Sequence, residues 1–181
     1  MNHLQAKSKI IYVKGKNIFE SIKLRSRSKN NGSTVVVPHV CNNIGLFGAG
    51  FARAMAEQYP IVQMNFEMLG KKSKLGVSQF IVAETEPEYK HQIIVANMIS
   101  QNKTISQNNP RPLNYSALVQ CMNEVKLFCS RLRLNSQSVE IHAPKFGSGL
   151  AGGNWNFIEN LIEDIWFDYT TFVYLYPVVK K

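Results

Sequence analysis

The chain has 181 residues, 45% of them hydrophobic, enough for one domain with a full core. No apolar run approaches the roughly 20 residues of a membrane span, and the polar, basic N-terminus lacks the apolar centre of a secretory signal, so a soluble cytoplasmic protein is expected. The net charge of +9 is uneven: residues 1–31 hold eight Lys or Arg against Glu20 alone.

Lys9-Ile-Ile-Tyr-Val13 reads as a short strand, followed by a helix-compatible stretch from Asn17 through Leu24. Arg25 to Ser33 is polar, contains Asn31-Gly32, and is predicted as a loop. The run Lys23-Leu-Arg-Ser-Arg-Ser-Lys29 offers a weak contact to nucleic acid or another polyanion, although a solvated basic connection is the favoured reading. Thr34 to Val40 is continuously apolar and β-branched, as a strand covered on both faces is. Pro38 predicts weakening of regular pairing towards its end. A helix is expected from Ala49 to Tyr59-Pro60.

Ser78–Thr85 and Gln92–Ile99 are two strands whose short connection predicts an antiparallel hairpin. Ser100 to Pro112 is loop-like; Asn114 can cap a helix whose apolar positions Leu118, Met122, Val125, Cys129 and Leu132 step by three and four. Strand Val139–Ala143 follows, then a helix over Asn154–Asp168 with Phe157, Leu161 and Ile165 on one stripe, and a closing strand from Thr171 to Tyr176. Strands alternating with helices predict an α/β fold with a mixed, mostly parallel sheet covered on both faces. Cys41, Cys121 and Cys129 have no metal-ligand spacing, and no metal or cofactor is expected.

Two glycine-rich loops carry the chemistry. Gly45-Leu-Phe-Gly-Ala-Gly-Phe-Ala52 follows the second strand; Phe146-Gly-Ser-Gly-Leu-Ala-Gly-Gly153 follows the fifth. Glycines let backbone N–H groups approach an anion, and a helix N-terminus adds unsatisfied donors. Two such loops on the same strand ends suggest a ligand with two phosphates, or a phosphate and a sugar, held between them. Neither loop ends in the Gly-Lys-Ser/Thr of a triphosphate-binding loop, and no Gly-x-Gly-x-x-Gly follows the first strand.

His39-Val-Cys-Asn42, the first loop, Tyr59-Pro60, and Pro144-Lys-Phe-Gly-Ser-Gly-Leu-Ala-Gly-Gly-Asn-Trp155, in that order, resemble the macrodomain family. The likeness is to the branch holding the yeast-type ADP-ribose-1″-phosphate phosphatase and the terminal ADP-ribose protein glycohydrolase. Val13-Lys-Gly-Lys-Asn-Ile-Phe19 resembles the opening strand and adenine-contacting turn, and Val173-Tyr-Leu-Tyr176 the last strand. The resemblance implies a single three-layer α/β/α domain over residues 1–181, monomeric, holding ADP-ribose or a derivative in a cleft.

In that reading Gly45, Phe47, Gly48, Ala49, Gly50, Phe51 and Ala52 line the diphosphate and distal ribose from one side. Phe146, Gly147, Ser148, Gly149, Leu150 and Ala151 close from the other. Asn17 and Ile18 meet the adenine, Tyr174 or Tyr176 packs on it, and Asn42 sits by the distal ribose or, equally, caps its own loop. The glycohydrolase lysine and aspartate are replaced by Ala56 and Ala151, so that mechanism is not expected. His39 and Asn42 are the candidate catalytic residues, His39 as acid or base, weighed against a structural histidine; Cys41 beside it lacks an orienting third group. His142, mid-strand, reads as structural. The expected function is hydrolysis of ADP-ribose-1″-phosphate. The alternatives are removal of mono-ADP-ribose from protein or nucleic acid, a non-catalytic reader, and a phosphate-touching nucleic-acid domain.

Overall fold

Alternation in the central strand explains the architecture. Val35 and Val37 point into one core and Val36 into another, and all three are buried. The protein is described by a computed structural model covering residues 9–27, 33–135 and 138–175. Its elements are β1 (Lys9–Val13), α1 (Ile18–Arg27), β2 (Ser33–Asn42), α2 (Gly50–Gln58), α3 (Pro60–Leu69), β3 (Ser78–Glu86), β4 (His91–Gln101), α4 (Tyr115–Leu134), β5 (Ser138–Pro144), α5 (Trp155–Ile165) and β6 (Thr170–Tyr174). The six strands form one sheet in the order β1-β6-β5-β2-β4-β3, parallel except for the antiparallel β3–β4 hairpin. Helices α1, α2 and α3 cover one face, α4 and α5 the other. This is the mixed, mostly parallel α/β/α sandwich expected.

Several boundaries differ from the sequence reading. Helix α1 runs on to Arg27, because Lys23 pairs with Glu84 at 3.5 Å and Arg25 with Glu140 at 2.7 Å. The Arg25 guanidinium also lies 4.2 Å from the Phe172 ring centroid. These two charges hold α1 to the sheet; Ser28 and Lys29 of the basic run lie outside the described residues. Pro60 starts the unpredicted helix α3 at the position where proline's missing N–H costs nothing. In α5 the fully buried residues are Ile158 and Ile162, whereas Phe157 is 46% exposed, so the core stripe is offset by one residue from the prediction. Asn114 caps α4 by accepting from Ala117 N at 2.9 Å, and Asn154 caps α5 from Phe157 N at 3.3 Å. No helix among the described residues is long and apolar enough to cross a membrane.

The sheet also opens the site. Strand β2 pairs β4 along its length but pairs β5 only over Ser33–Val36. The ladder stops just before Pro38, which has no N–H to donate. From there β2 leads to α2 on one face and β5 to α5 on the other. Neighbouring strands leaving towards opposite faces create a crevice at their carboxyl ends.

Candidate functional site

That crevice is a cleft of about 700 Å³. The first loop reaches it through Gly45 to Ala52, the second through Phe146, Gly147, Gly149, Leu150 and Ala151. Asn42 builds the first loop. Its Oδ1 accepts from Ile44 N at 3.1 Å and Leu46 N at 3.0 Å, and its Nδ2 donates to Leu46 O at 2.6 Å. The amide thus organises its own loop, as the capping reading has it, and Asn42 also lines the cleft. Gly45, at φ 77°, packs so tightly that an added Cβ would stand 3.0 Å from Gly70 Cα. Phe47 is buried against Phe66, ring centroids 5.2 Å apart. Helix α2 then begins without a side-chain cap and without an acidic residue in its first turn. Its leading N–H groups therefore remain available to an anion.

The second loop is closed by its own backbone: Gly153 N donates to Gly147 O at 2.8 Å and Gly152 N to Gly149 O at 2.9 Å. The N–H groups of Ser148, Gly149 and Leu150 have no backbone acceptor among the described residues. The Ser148 hydroxyl turns away to donate to Lys145 O at 3.0 Å, and its side chain does not line the cleft. At Gly48 and Gly149 an added Cβ would meet nothing within 4 Å, and neither residue has a positive φ. Neither fold nor backbone conformation demands glycine there; the open space beside them does the explaining.

His39 lines the cleft but is only 1% exposed. It stands in register with Asn97 across the β2–β4 ladder, and its Nε2 lies 2.6 Å from Asn97 Oδ1. A carbonyl oxygen only accepts, so Nε2 carries the proton. Burial lowers the His39 pKa from 6.5 to about 4, with the Asn97 bond opposing. The ring is therefore neutral at pH 7, and its N–H is already given away. Of the acid-or-base expectation, the acid role would need this committed Nε2 proton, whereas the neutral ring keeps an unprotonated Nδ1. Burial, and then neighbouring Cys121, raises the Cys41 thiol well above its ordinary range, which keeps it a protonated thiol at neutral pH.

Three expected adenine contacts lie elsewhere. Asn17 Oδ1 accepts from Phe19 N at 2.8 Å and so caps α1; it does not border the cleft. Ile18 is fully buried in the core. Tyr174 is 2% exposed, and its hydroxyl meets His142 Nδ1 at 2.9 Å. His142 also approaches Glu140 at 3.2 Å, in keeping with a structural role. Tyr176 lies outside the described residues.

Other wall residues had no assignment from sequence. Gln63 and Glu67 come from α3; Gln101, Thr104 and Ile105 follow β4; Lys145 follows β5. The segment after β4 is ordered by Lys103 N donating to Asn43 Oδ1 at 2.8 Å and by Asn109 Nδ2 donating to two carbonyls. Leu113 N donates to Ala151 O at 3.0 Å, tying it to the second loop. Among the described residues, no group of three or more His, Cys, Asp or Glu is placed to hold a metal ion.

No protein-family model matches the chain. An uncharacterized 17.5 kDa protein of Enterobacteria phage T4 is 27% identical over 84% of this chain and 86% of its own. An ADP-ribose 1″-phosphate phosphatase of Lodderomyces elongisporus is 21% identical over 78% and 88%. A macrodomain protein of Streptomyces coelicolor superposes with a TM-score of 0.66 at 26% identity, covering 93% of this chain and 99% of that one. Thermosipho africanus DarTG, a structure in complex with ADP-ribose, gives 0.65 at 15% identity over 97% of this chain and 44% of its own. A six-stranded sandwich with two glycine loops at one crevice is the macrodomain architecture. The chain has the macrodomain-like α/β fold of these neighbours.

Proposed function

We propose that the protein binds ADP-ribose or a derivative in this cleft, with the diphosphate held between the two loops. One observation carries the reading: both glycine loops border the same cleft, with an uncapped helix N-terminus on one side. Backbone N–H groups fixed in place bind a diphosphate without paying for reorganisation and without a metal. The Thermosipho neighbour with ADP-ribose supports the choice of ligand. Calorimetric titration with ADP-ribose tests it. Saturable binding is expected, and no heat at millimolar ligand would end the proposal.

The reaction we propose is hydrolysis of ADP-ribose 1″-phosphate, supported by the likeness to the Lodderomyces phosphatase. Water attacks phosphorus, the bond to the ribose 1″ oxygen breaks, and inorganic phosphate and ADP-ribose leave. With His39 neutral and Asn42 committed, positioning and backbone donors supply the stabilisation rather than a histidine acid. Release of phosphate from that substrate, measured colorimetrically against an enzyme-free control, is the check. The same commitment of His39 and Asn42 favours a second reading, a module that binds the nucleotide without turnover. Tight binding with intact ligand after hours would select it.

A further inference from the structure

Helix α3 presents three faces. Val62 and Phe66 are buried in the core, Ile61, Met64 and Met68 face solvent, and Gln63 and Glu67, one turn apart, border the cleft. Among the described residues lining the cleft, Glu67 is the only carboxylate. Gln63 Nε2 donates to Glu67 Oε1 at 2.7 Å, which orients the carboxylate and leaves its second oxygen free of that bond. This wall is coupled to the first loop by the Phe47–Phe66 contact and by the close approach of Gly45 to Gly70.

A carboxylate repels a diphosphate, so Glu67 is not a partner of that part of the ligand. What a carboxylate oriented by one neighbouring amide at the exposed rim of a nucleotide-sized cleft binds well is a group with hydrogen-bond donors and no negative charge. Vicinal sugar hydroxyls meet that description. Leu46 and the segment carrying Gln101, Thr104 and Ile105 supply further polar and apolar edges to the cleft.

We infer that Glu67, positioned by Gln63, is a specificity-determining residue that accepts hydrogen bonds from the hydroxyls of the ligand's terminal sugar. The inference rests on the ADP-ribose reading above. The test is titration of the whole chain, Glu67→Gln and Gln63→Ala with two ligands: ADP-ribose, and ADP, which lacks the terminal sugar. The wild-type protein should prefer ADP-ribose, and Glu67→Gln should lose about tenfold or more in ADP-ribose affinity while ADP affinity stays within about twofold. Gln63→Ala should lose part of the same margin, again without affecting ADP. A Glu67→Gln protein that keeps the wild-type ratio, or that weakens both ligands equally with an unchanged melting temperature, overturns the inference. Failure of the wild type to bind either nucleotide overturns the ADP-ribose reading, and this assignment with it.

Discussion

Gly50 and Leu150 bring the two glycine loops together: a Cβ built on Gly50 would stand 3.5 Å from Leu150 Cδ1. Leu150 is 54% exposed and contributes little to the core, yet it borders the cleft from the second loop. Leu150→Ala should therefore leave the denaturation midpoint nearly unchanged. Losing its apolar contact with a bound nucleotide should weaken binding by about fivefold, read by calorimetry. A large loss of stability with unchanged affinity would mean that the leucine serves the fold.

Glycines in the first loop divide by their surroundings. Gly45→Ala meets a positive φ and a 3.0 Å approach to Gly70, and should destabilise by about 2 kcal/mol or more. Gly48→Ala meets neither, so it should unfold like the wild type while losing about tenfold in ADP-ribose affinity, as a methyl displaces the ligand from backbone donors. Urea denaturation and calorimetry on both variants separate the two effects. Equal destabilisation would refute the division.

His39 gives a stability signature with a definite sign. Its folded pKa of about 4 lies below the ordinary 6.5, so between those values the unfolded chain binds more protons. Stability from this group is complete above pH 6.5 and falls as pH drops towards 4, by about 3 kcal/mol in all. Denaturation of wild type and His39→Gln across pH 4–7.5 should show a steeper acid loss in the wild type. Parallel curves would place the ring in a wetter setting than its burial indicates.

Asn42 organises the first loop through three hydrogen bonds. Asn42→Ala leaves two N–H groups and a carbonyl without their partner, and should cost about 1–3 kcal/mol of stability. Thermal unfolding measures it. A stable Asn42→Ala protein that no longer binds ADP-ribose would instead favour direct contact with the ligand.

The sheet and the pair of loops were legible because their signals are local: a β-branched run, glycine clusters at strand ends, and Asn114 ahead of an apolar period. The misses arose where one residue type serves two purposes. Pro60 reads in sequence as the end of a helix but occupies the first turn of the next, which conceals α3 and with it Gln63 and Glu67. Asn17 sits where the adenine contact is expected, yet its short amide satisfies a backbone N–H nearby, as the Asn42 amide does in the capping reading. His39 sits within a strand buried on both faces, and that burial outweighs its nearness to the cleft. The one-residue offset in α5 reflects core packing that selects Ile158 and Ile162 over their neighbours.

The hairpin joining β3 and β4 reverses at Pro87–Tyr89, with Lys90 in the left-handed conformation at φ 49°. Because β4 runs parallel to β2, its first residue His91 lies at the end of the sheet away from the crevice. A reporter peptide or fluorophore grafted between Glu88 and Lys90 would ride on the far pole of the molecule. That makes this turn the natural handle for immobilising the protein on a sensor surface while its mouth stays accessible.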